Sequence, residues 1–359
     1  MKERVKRIFA QTEGLDCALF MNGVEPHLDM SFFYVTGLAD GLFETGGVMI
    51  YPDGGMDLVS SLLEEPSAKK CKAPLHIYRK LDEGEDIFTN LLKGKKKVGI
   101  NSEELTHANF EKLSRLAPHA EFMDISQEVK DARAVKDEQE LEALKRACEI
   151  ASEVAIEIPK YVKVGMTESA LAAELAYLLQ KKGASKPNFT LTSFGPNSAE
   201  PHYMGGDGVL KMGDFVLLDF GCIYNKYHSD ITRTFVMGTA SDRQKKIYKV
   251  VADAQQLAFE KMTPGADAKD VHSAVAALIN ATEFKGRFTH STGHSLGLAT
   301  HDGQRMFDYS LTLEPGMVFT VEPGVYLPDF GGVRIEDDVV ITQSKPRILT
   351  NAPRDMIEL

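Results

Sequence analysis

No apolar run in this chain approaches the roughly 20 residues that a membrane-spanning helix needs, and the N-terminus is a charged amphipathic stretch without the apolar core of a secretory signal. Basic runs are equally scarce. The 41 lysines and arginines stand against 52 aspartates and glutamates, a net charge of -11. The one short basic cluster, Lys93-Gly94-Lys95-Lys96-Lys97, reads as a solvated turn. That balance gives no electrostatic footing for nucleic acid or for an anionic membrane. Cysteine is sparse too: Cys17, Cys71, Cys148 and Cys222 show no metal or redox spacing and read as reduced, structural thiols. Together these absences predict a cytoplasmic protein with neither nucleic acid nor membrane as a partner.

What is present is enough for two cores. A chain of 359 residues with 43% hydrophobic side chains exceeds one ordinary domain. Residues 1 to about 130 alternate strand-like runs (17–21, 32–35, 47–51, 57–60) with helical ones (87–92, 107–116), which predicts an α/β N-terminal domain. A boundary falls near residues 130–138, where a long helical pattern begins that runs to about Val162. Residues 131–359 then form a second, α+β domain.

That second domain repeats itself. Asp219 and Glu322 are 103 residues apart, and glycines flank them at the same offset, Gly213 with Gly316 and Gly221 with Gly324. Each carboxylate ends an apolar, β-branched run and precedes a second acid on the returning strand of a hairpin, Asp230 and Glu336. Gly165-Met166-Thr167 and Gly265-Ala266-Asp267 each place an N-cap residue before a helical run. Leu171, Leu175 and Leu178 recur as Val271, Val275 and Leu278, at an offset of 100. Phe189-Thr190 recurs as Phe288-Thr289, and His202 as His301, at 99. Such a repeat predicts two copies of a helix, helix, hairpin unit that close on one site about a pseudo-twofold axis.

Carboxylate oxygens with an imidazole suit borderline divalent ions such as manganese, cobalt, zinc or iron(II). Four carboxylates balance two dications, and two ions a few Å apart can share a bridging hydroxide because they lower the pKa of bound water toward about 7. That species suits attack on an amide carbonyl. The histidine that completes the set is His294 in His290-Ser291-Thr292-Gly293-His294-Ser295-Leu296-Gly297, where two glycines argue against a helix and for backbone packed closely on a sheet.

Asp219, Asp230, His294, Glu322 and Glu336 stand in the words Leu218-Asp219-Phe220-Gly221, Ser229-Asp230-Ile231-Thr232-Arg233, Thr292-Gly293-His294, Val321-Glu322-Pro323-Gly324 and Val333-Arg334-Ile335-Glu336-Asp337. In order and spacing they resemble the five ligands of the pita-bread metallopeptidases, closest to the prolidase and aminopeptidase P branch. The resemblance covers nearly the whole chain. Phe33-Tyr34-Val35-Thr36-Gly37 is similar to that branch's N-terminal domain, Ala132-Arg133-Ala134-Val135-Lys136 to its linker helix, and the segment from Ser193 to His202 to its first histidine loop. Ser291 and Ser295 depart from the usual glycines, and Thr300-His301-Asp302-Gly303 replaces histidine-glutamate-x-proline, changes that touch the pocket shape and leave the ligands intact.

The resemblance implies two divalent ions, manganese or cobalt ahead of zinc or iron. Asp219 would chelate one, His294 and Glu322 the other, and Asp230 and Glu336 would bridge both. Glu322 would also shuttle the proton. His202 and His301 would bind the substrate and the developing oxyanion, His290 would line the substrate side, and Arg334 would stand on the substrate side and orient the ligands. The implied reaction is hydrolysis of the bond before proline, a bond that peptidases gripping an extended backbone handle poorly because proline lacks an N–H and fixes φ. Arg305, four residues after His301, would anchor the free carboxylate of a residue-proline dipeptide and mark a prolidase; without that role the chain reads as aminopeptidase P. A homodimer is expected, with the N-terminal domain restricting access. A metal-free creatinase-like hydrolase or a non-catalytic binding relative would have lost ligands, and a methionine aminopeptidase would not need residues 1–130.

Overall fold

In the computed structural model, which describes residues 1–303, 306 and 310–359, the chain divides into two units, Met1–Arg133 and Ala134–Leu359. The first is built on six strands: β1 (Cys17–Met21), β2 (Gly47–Ile50), β3 (Met56–Ser61), β4 (Leu75–Tyr78), β5 (Lys97–Ile100) and β6 (Glu121–Asp124). They form one mixed sheet in the order β4-β3-β2-β1-β5-β6, parallel except where β2 pairs with β1 and β3. Helices α1 (Lys2–Phe9), α2 (Met30–Thr36), α3 (Glu65–Ala68), α4 (Leu81–Leu92), α5 (His107–Leu116) and α6 (Ser126–Ala134) complete the α/β pattern that the alternation predicted.

One expected strand is a helix. Residues 32–35 carry the β-prone word Phe-Phe-Tyr-Val, yet they form the middle of α2. Asp29 caps that helix, its carboxylate accepting from Ser31 N at 2.8 Å, and Gly37 ends it. All four side chains are buried, and Phe32 and Phe33 lie against Phe43 with ring centroids 5.1 and 6.3 Å apart. β-propensity reports fit to a half-buried pleated surface, and here caps at both ends and burial all round outweigh it.

The second unit opens differently from the expected linker helix. Helix α6 stops at Ala134, Val135 makes an antiparallel bridge with Met317, and Lys136 N donates to Gly316 O at 3.0 Å. Asp137 and Glu140 then form a reciprocal capping box that starts α7 (Glu138–Glu157) afresh. There follow α8 (Glu168–Lys181), β7 (Lys186–Phe194), β8 (Phe215–Tyr224), β9 (Tyr227–His228), β10 (Ile231–Val236), α9 (Asp242–Lys261) and α10 (Ala268–Asn280). The unit closes with β11 (Val318–Val321), β12 (Gly324–Leu327), β13 (Gly331–Arg334), β14 (Asp337–Val340) and β15 (Arg347–Ile348).

The offsets of the sequence are paired elements. Thr167 caps α8 by accepting from Ala170 N, and Asp267 caps α10 by accepting from Lys269 N. Ahead of each cap, Gly165 N donates to Leu210 O at 2.9 Å and Gly265 N to Leu313 O at 2.8 Å. Leu171 and Leu175 sit in one core with Ile150, Val154 and Leu218, and Val271 and Val275 in another with Val251, Phe319 and Val339. The strands form sheets ordered β10-β8-β7, with β9 on β8, and β11-β14-β15, beside the hairpin β12-β13. Among the described residues, no helix is long and apolar enough to cross a membrane.

Candidate metal centre

Strand pairing sets the acids. Asp219 in β8 lies opposite Thr232 in β10, and Asp230 stands at the entry to β10. On the other sheet, Val321 lies opposite Asp337, so Glu322 and Glu336 flank that pair at the ends of β11 and β14. His294 is brought in by close packing: Ser295 bridges Phe319, and a Cβ on Gly293 would sit 1.9 Å from Thr320 O, a gap that only glycine tolerates. The Thr320 hydroxyl accepts from His294 N at 3.1 Å and donates to Glu322 Oε1 at 3.3 Å.

One ligand atom each from Asp230, His294 and Glu336 lies within 4.8 Å of the others, and all three residues are buried. His294 Nε2 is 3.5 Å from Glu322 Oε1 and 3.8 Å from Asp230 Oδ2. Its other nitrogen, Nδ1, lies 3.2 Å from the Ser295 carbonyl. A carbonyl can only accept, so this contact places the proton on Nδ1 and leaves the Nε2 lone pair facing the carboxylates, the arrangement metal-bound histidines adopt.

Asp219 Oδ1 and Asp230 Oδ1 are buried without a hydrogen-bond partner among the described residues. Burial first, then the Glu336, Asp219, Asp338 and Glu322 charges, hold the Asp230 carboxyl well above the usual carboxylate range. Burial, then Glu322 and Asp219, do the same to Glu336. Orphaned oxygens and crowded like charges are costly in a dry interior, and a divalent cation removes both costs at once. The residues present therefore fit a metal site.

Around the acids runs a layer of supports. Arg334 Nη2 pairs with Asp219 Oδ2 at 2.5 Å, its Nε donates to Thr232 Oγ1 at 3.0 Å, and Thr232 donates to Glu336 Oε2 at 2.5 Å. Arg334 Nη1 donates to the Tyr326 hydroxyl at 2.9 Å, which in turn lies 2.7 Å from His290 Nε2. His290 Nδ1 lies 2.8 Å from Ser291 O, so Nε2 accepts from Tyr326. Burial, with Arg334 next, pushes the His290 pKa down to about 3 and keeps this imidazole neutral. Thr232 and Tyr326 escaped the sequence reading. Thr232 stands two residues after Asp230 and Tyr326 two after Gly324, a strand-period signal that could have found them.

Asp219, Asp230, His294, Glu322 and Glu336 open into a cavity of about 500 Å³ that His202, His290, His301 and Arg334 also line. Phe189, Leu191 and Met204 give it an apolar wall, a composition and size typical of small-molecule sites. The His301 ring stands edge-on to His294 with centroids 4.2 Å apart. Arg334 is 3% exposed and donates to Asp219, Thr232 and Tyr326, and at 3.4 Å to Pro201 O, which ties it to the acids. Arg305 lies outside the described residues.

A duplicated α+β unit gathering buried carboxylates and an imidazole at the wall of such a cavity defines a metalloenzyme. Comparison with known proteins agrees. The family described as metallopeptidase family M24 matches residues 142–343, and the creatinase/prolidase N-terminal domain matches residues 3–135. The chain is 34% identical to the Xaa-Pro dipeptidase of Pyrococcus horikoshii over 361 residues, covering 99% of each protein. Among solved structures it is similar to the X-Pro aminopeptidase of Thermotoga maritima, with a TM-score of 0.92 and 31% identity over 99% of this chain and 100% of that one. It is likewise similar to the prolidase of Pyrococcus horikoshii, with a TM-score of 0.90 and 34% identity over the same shares. The chain belongs to metallopeptidase family M24, and it carries a creatinase/prolidase-type N-terminal domain.

Proposed function

We propose that this protein is an Xaa-Pro dipeptidase that uses two divalent ions, manganese or cobalt, with zinc or iron as alternatives. The observation that carries the metal half of the reading is the buried group of Asp230, His294 and Glu336, with ligand atoms within 4.8 Å of one another and orphaned aspartate oxygens beside it. The substrate half is supported by the Xaa-Pro dipeptidase and prolidase relatives that match end to end.

In this reading Asp219 would hold one ion, His294 and Glu322 would hold the other, and Asp230 and Glu336 would take part in holding both. When bound, such ions acidify a water and polarise the scissile carbonyl. The chain's own residues do the rest. Glu322, steadied by the Thr320 hydroxyl, takes a proton from the attacking water and returns it to the proline nitrogen as that nitrogen leaves. His301 and His202 donate to the substrate and to the oxygen on which charge develops. Arg334 and Thr232 hold Asp219 and Glu336 in place, and Phe189 with Leu191 offers an apolar face to the pyrrolidine ring.

A second reading, aminopeptidase action on longer peptides, is favoured by the match to the Thermotoga maritima X-Pro aminopeptidase. The assay that separates the two compares a residue-proline dipeptide with a tripeptide whose second residue is proline. A dipeptidase hydrolyses the first and neglects the second, and Arg305→Ala raises its KM for the dipeptide about 10-fold or more, in keeping with roughly 1.5–3 kcal/mol for a hydrogen bond to a charged group. Equal efficiency on both substrates leaves aminopeptidase. The free thiols Cys17, Cys148 and Cys222 support a cytoplasmic setting. A homodimer, read from the family resemblance, is checked by sedimentation.

A further inference from the structure

The strand that follows Glu336 carries two consecutive buried acids, and they serve different neighbours. Asp337 is matched by a cation: its Oδ1 pairs with Arg233 Nη2 at 2.7 Å and its Oδ2 accepts from Gln255 Nε2 at 3.0 Å. Asp338 points to the other face of β14 and is fully buried, and among the described residues the groups that donate to its carboxylate are an amide and a thiol, both uncharged. Its Oδ2 accepts from the backbone N–H of Asp230 at 2.9 Å and from the Cys148 thiol of α7 at 3.2 Å, while its Oδ1 is buried without a partner among the described residues. An acid kept in a dry interior with one oxygen unmatched is expensive, and the proposed reaction does not use it. Among the described residues, its side chain hydrogen-bonds to the site through the amide of Asp230.

We propose that Asp338 is a positioning residue of the metal centre: held by Cys148, its carboxyl group fixes the Asp230 amide and with it the direction in which the Asp230 carboxylate faces Glu336 and His294. This inference rests on the reading of that cluster as a metal site. A residue that holds a ligand's backbone would act on affinity by setting ligand direction, and loss of an outer support of a ligand costs about 10- to 100-fold in metal binding.

The test titrates metal-stripped protein with Mn²⁺ by calorimetry and with Co²⁺ by visible absorption. Asp338→Leu removes the acceptor at similar volume and is expected to weaken Mn²⁺ binding about 10- to 100-fold and to alter the Co²⁺ spectrum. Asp338→Asn keeps an acceptor oxygen for the Asp230 amide and is expected to restore both. Where the leucine variant does not fold, Cys148→Val replaces it and shifts both readouts in the same direction, while Cys148→Ser, which keeps a donor, does not. A variant that lowers the melting temperature yet binds Mn²⁺ with wild-type affinity and an unchanged Co²⁺ spectrum overturns the proposal and leaves Asp338 a purely structural residue. Failure of the wild-type chain to bind Mn²⁺ overturns the metal reading itself, and the proposal with it.

Discussion

Replacing Arg233 by lysine tests how the site is braced, because every donor of that guanidinium is in use. Nε donates to Pro353 O at 2.8 Å, Nη1 to Thr232 O at 2.9 Å and Glu336 O at 2.6 Å, and Nη2 to Ala352 O at 2.9 Å and Asp337 Oδ1 at 2.7 Å. Lysine keeps the charge and offers three donors from a single point, so at least two of the five acceptors lose their partner in a residue only 3% exposed. A hydrogen bond to a charged group contributes about 1.5–3 kcal/mol, which puts the loss at about 3–6 kcal/mol. At about 2–4 °C per kcal/mol for a domain of 150–250 residues, calorimetry should record a fall of at least about 6 °C in the transition of the catalytic unit. Arg354 supplies the control. It also approaches Asp337, but at 4.0 Å and with 41% of its side chain exposed, so Arg354→Met should cost below about 1 kcal/mol. An Arg233→Lys protein that melts within about 2 °C of wild type, below the range expected for even one lost kcal/mol, refutes the reasoning.

Asp230→Ala or Glu336→Ala should abolish both turnover and the binding of the second ion at saturating metal, measured by calorimetry and peptide hydrolysis, since in the proposed reading each would hold both ions. His301→Ala and His202→Ala should bind metal as wild type does yet lose about 10²- to 10³-fold in kcat, the usual cost of a missing oxyanion donor; loss of metal in His301→Ala would make it a ligand. For metal-free protein, stability should fall as pH rises from about 6.5 to 8.5. Asp230 and Glu336 are raised in the folded state, and burial pushes Asp338 up to about 8, so the folded chain holds protons that unfolded carboxyls, with pKa values near 4, have released. His290, lowered to about 3, acts in the opposite sense but only below about 6.5. Saturating Mn²⁺ should remove the part of the slope that Asp230 and Glu336 supply and leave that of Asp338, in a melting-temperature series.

The acids were legible because the features that place them are local. Asp219 and Glu322 each end a β-branched run between glycines, and Thr167 and Asp267 each stand one residue before a helical stripe, so repeat, caps and strands all appear within short windows of sequence. Residues 32–35 misled because β-propensity was read without the cap at Asp29. The segment after Ala134 misled because its partner, Met317, lies far along the chain. The pairings of the supports lay out of reach for the same reason: Thr232 reaches Glu336 and Asp338 reaches Asp230 across more than a hundred residues, so a strand period can nominate Thr232 but not the acid it holds, and Arg334, expected beside the ligands from the family resemblance alone, reaches Asp219 over a similar separation.

The central claim, that the buried acids hold two ions which make the chain a proline-specific dipeptidase, is tested most directly by stripping the protein with chelator and following hydrolysis of a residue-proline dipeptide as Mn²⁺ or Co²⁺ is returned. The account predicts no turnover in chelator and activity that climbs until two equivalents per chain are bound. Turnover in chelator equal to that with metal, or no hydrolysis at any metal concentration, would contradict it.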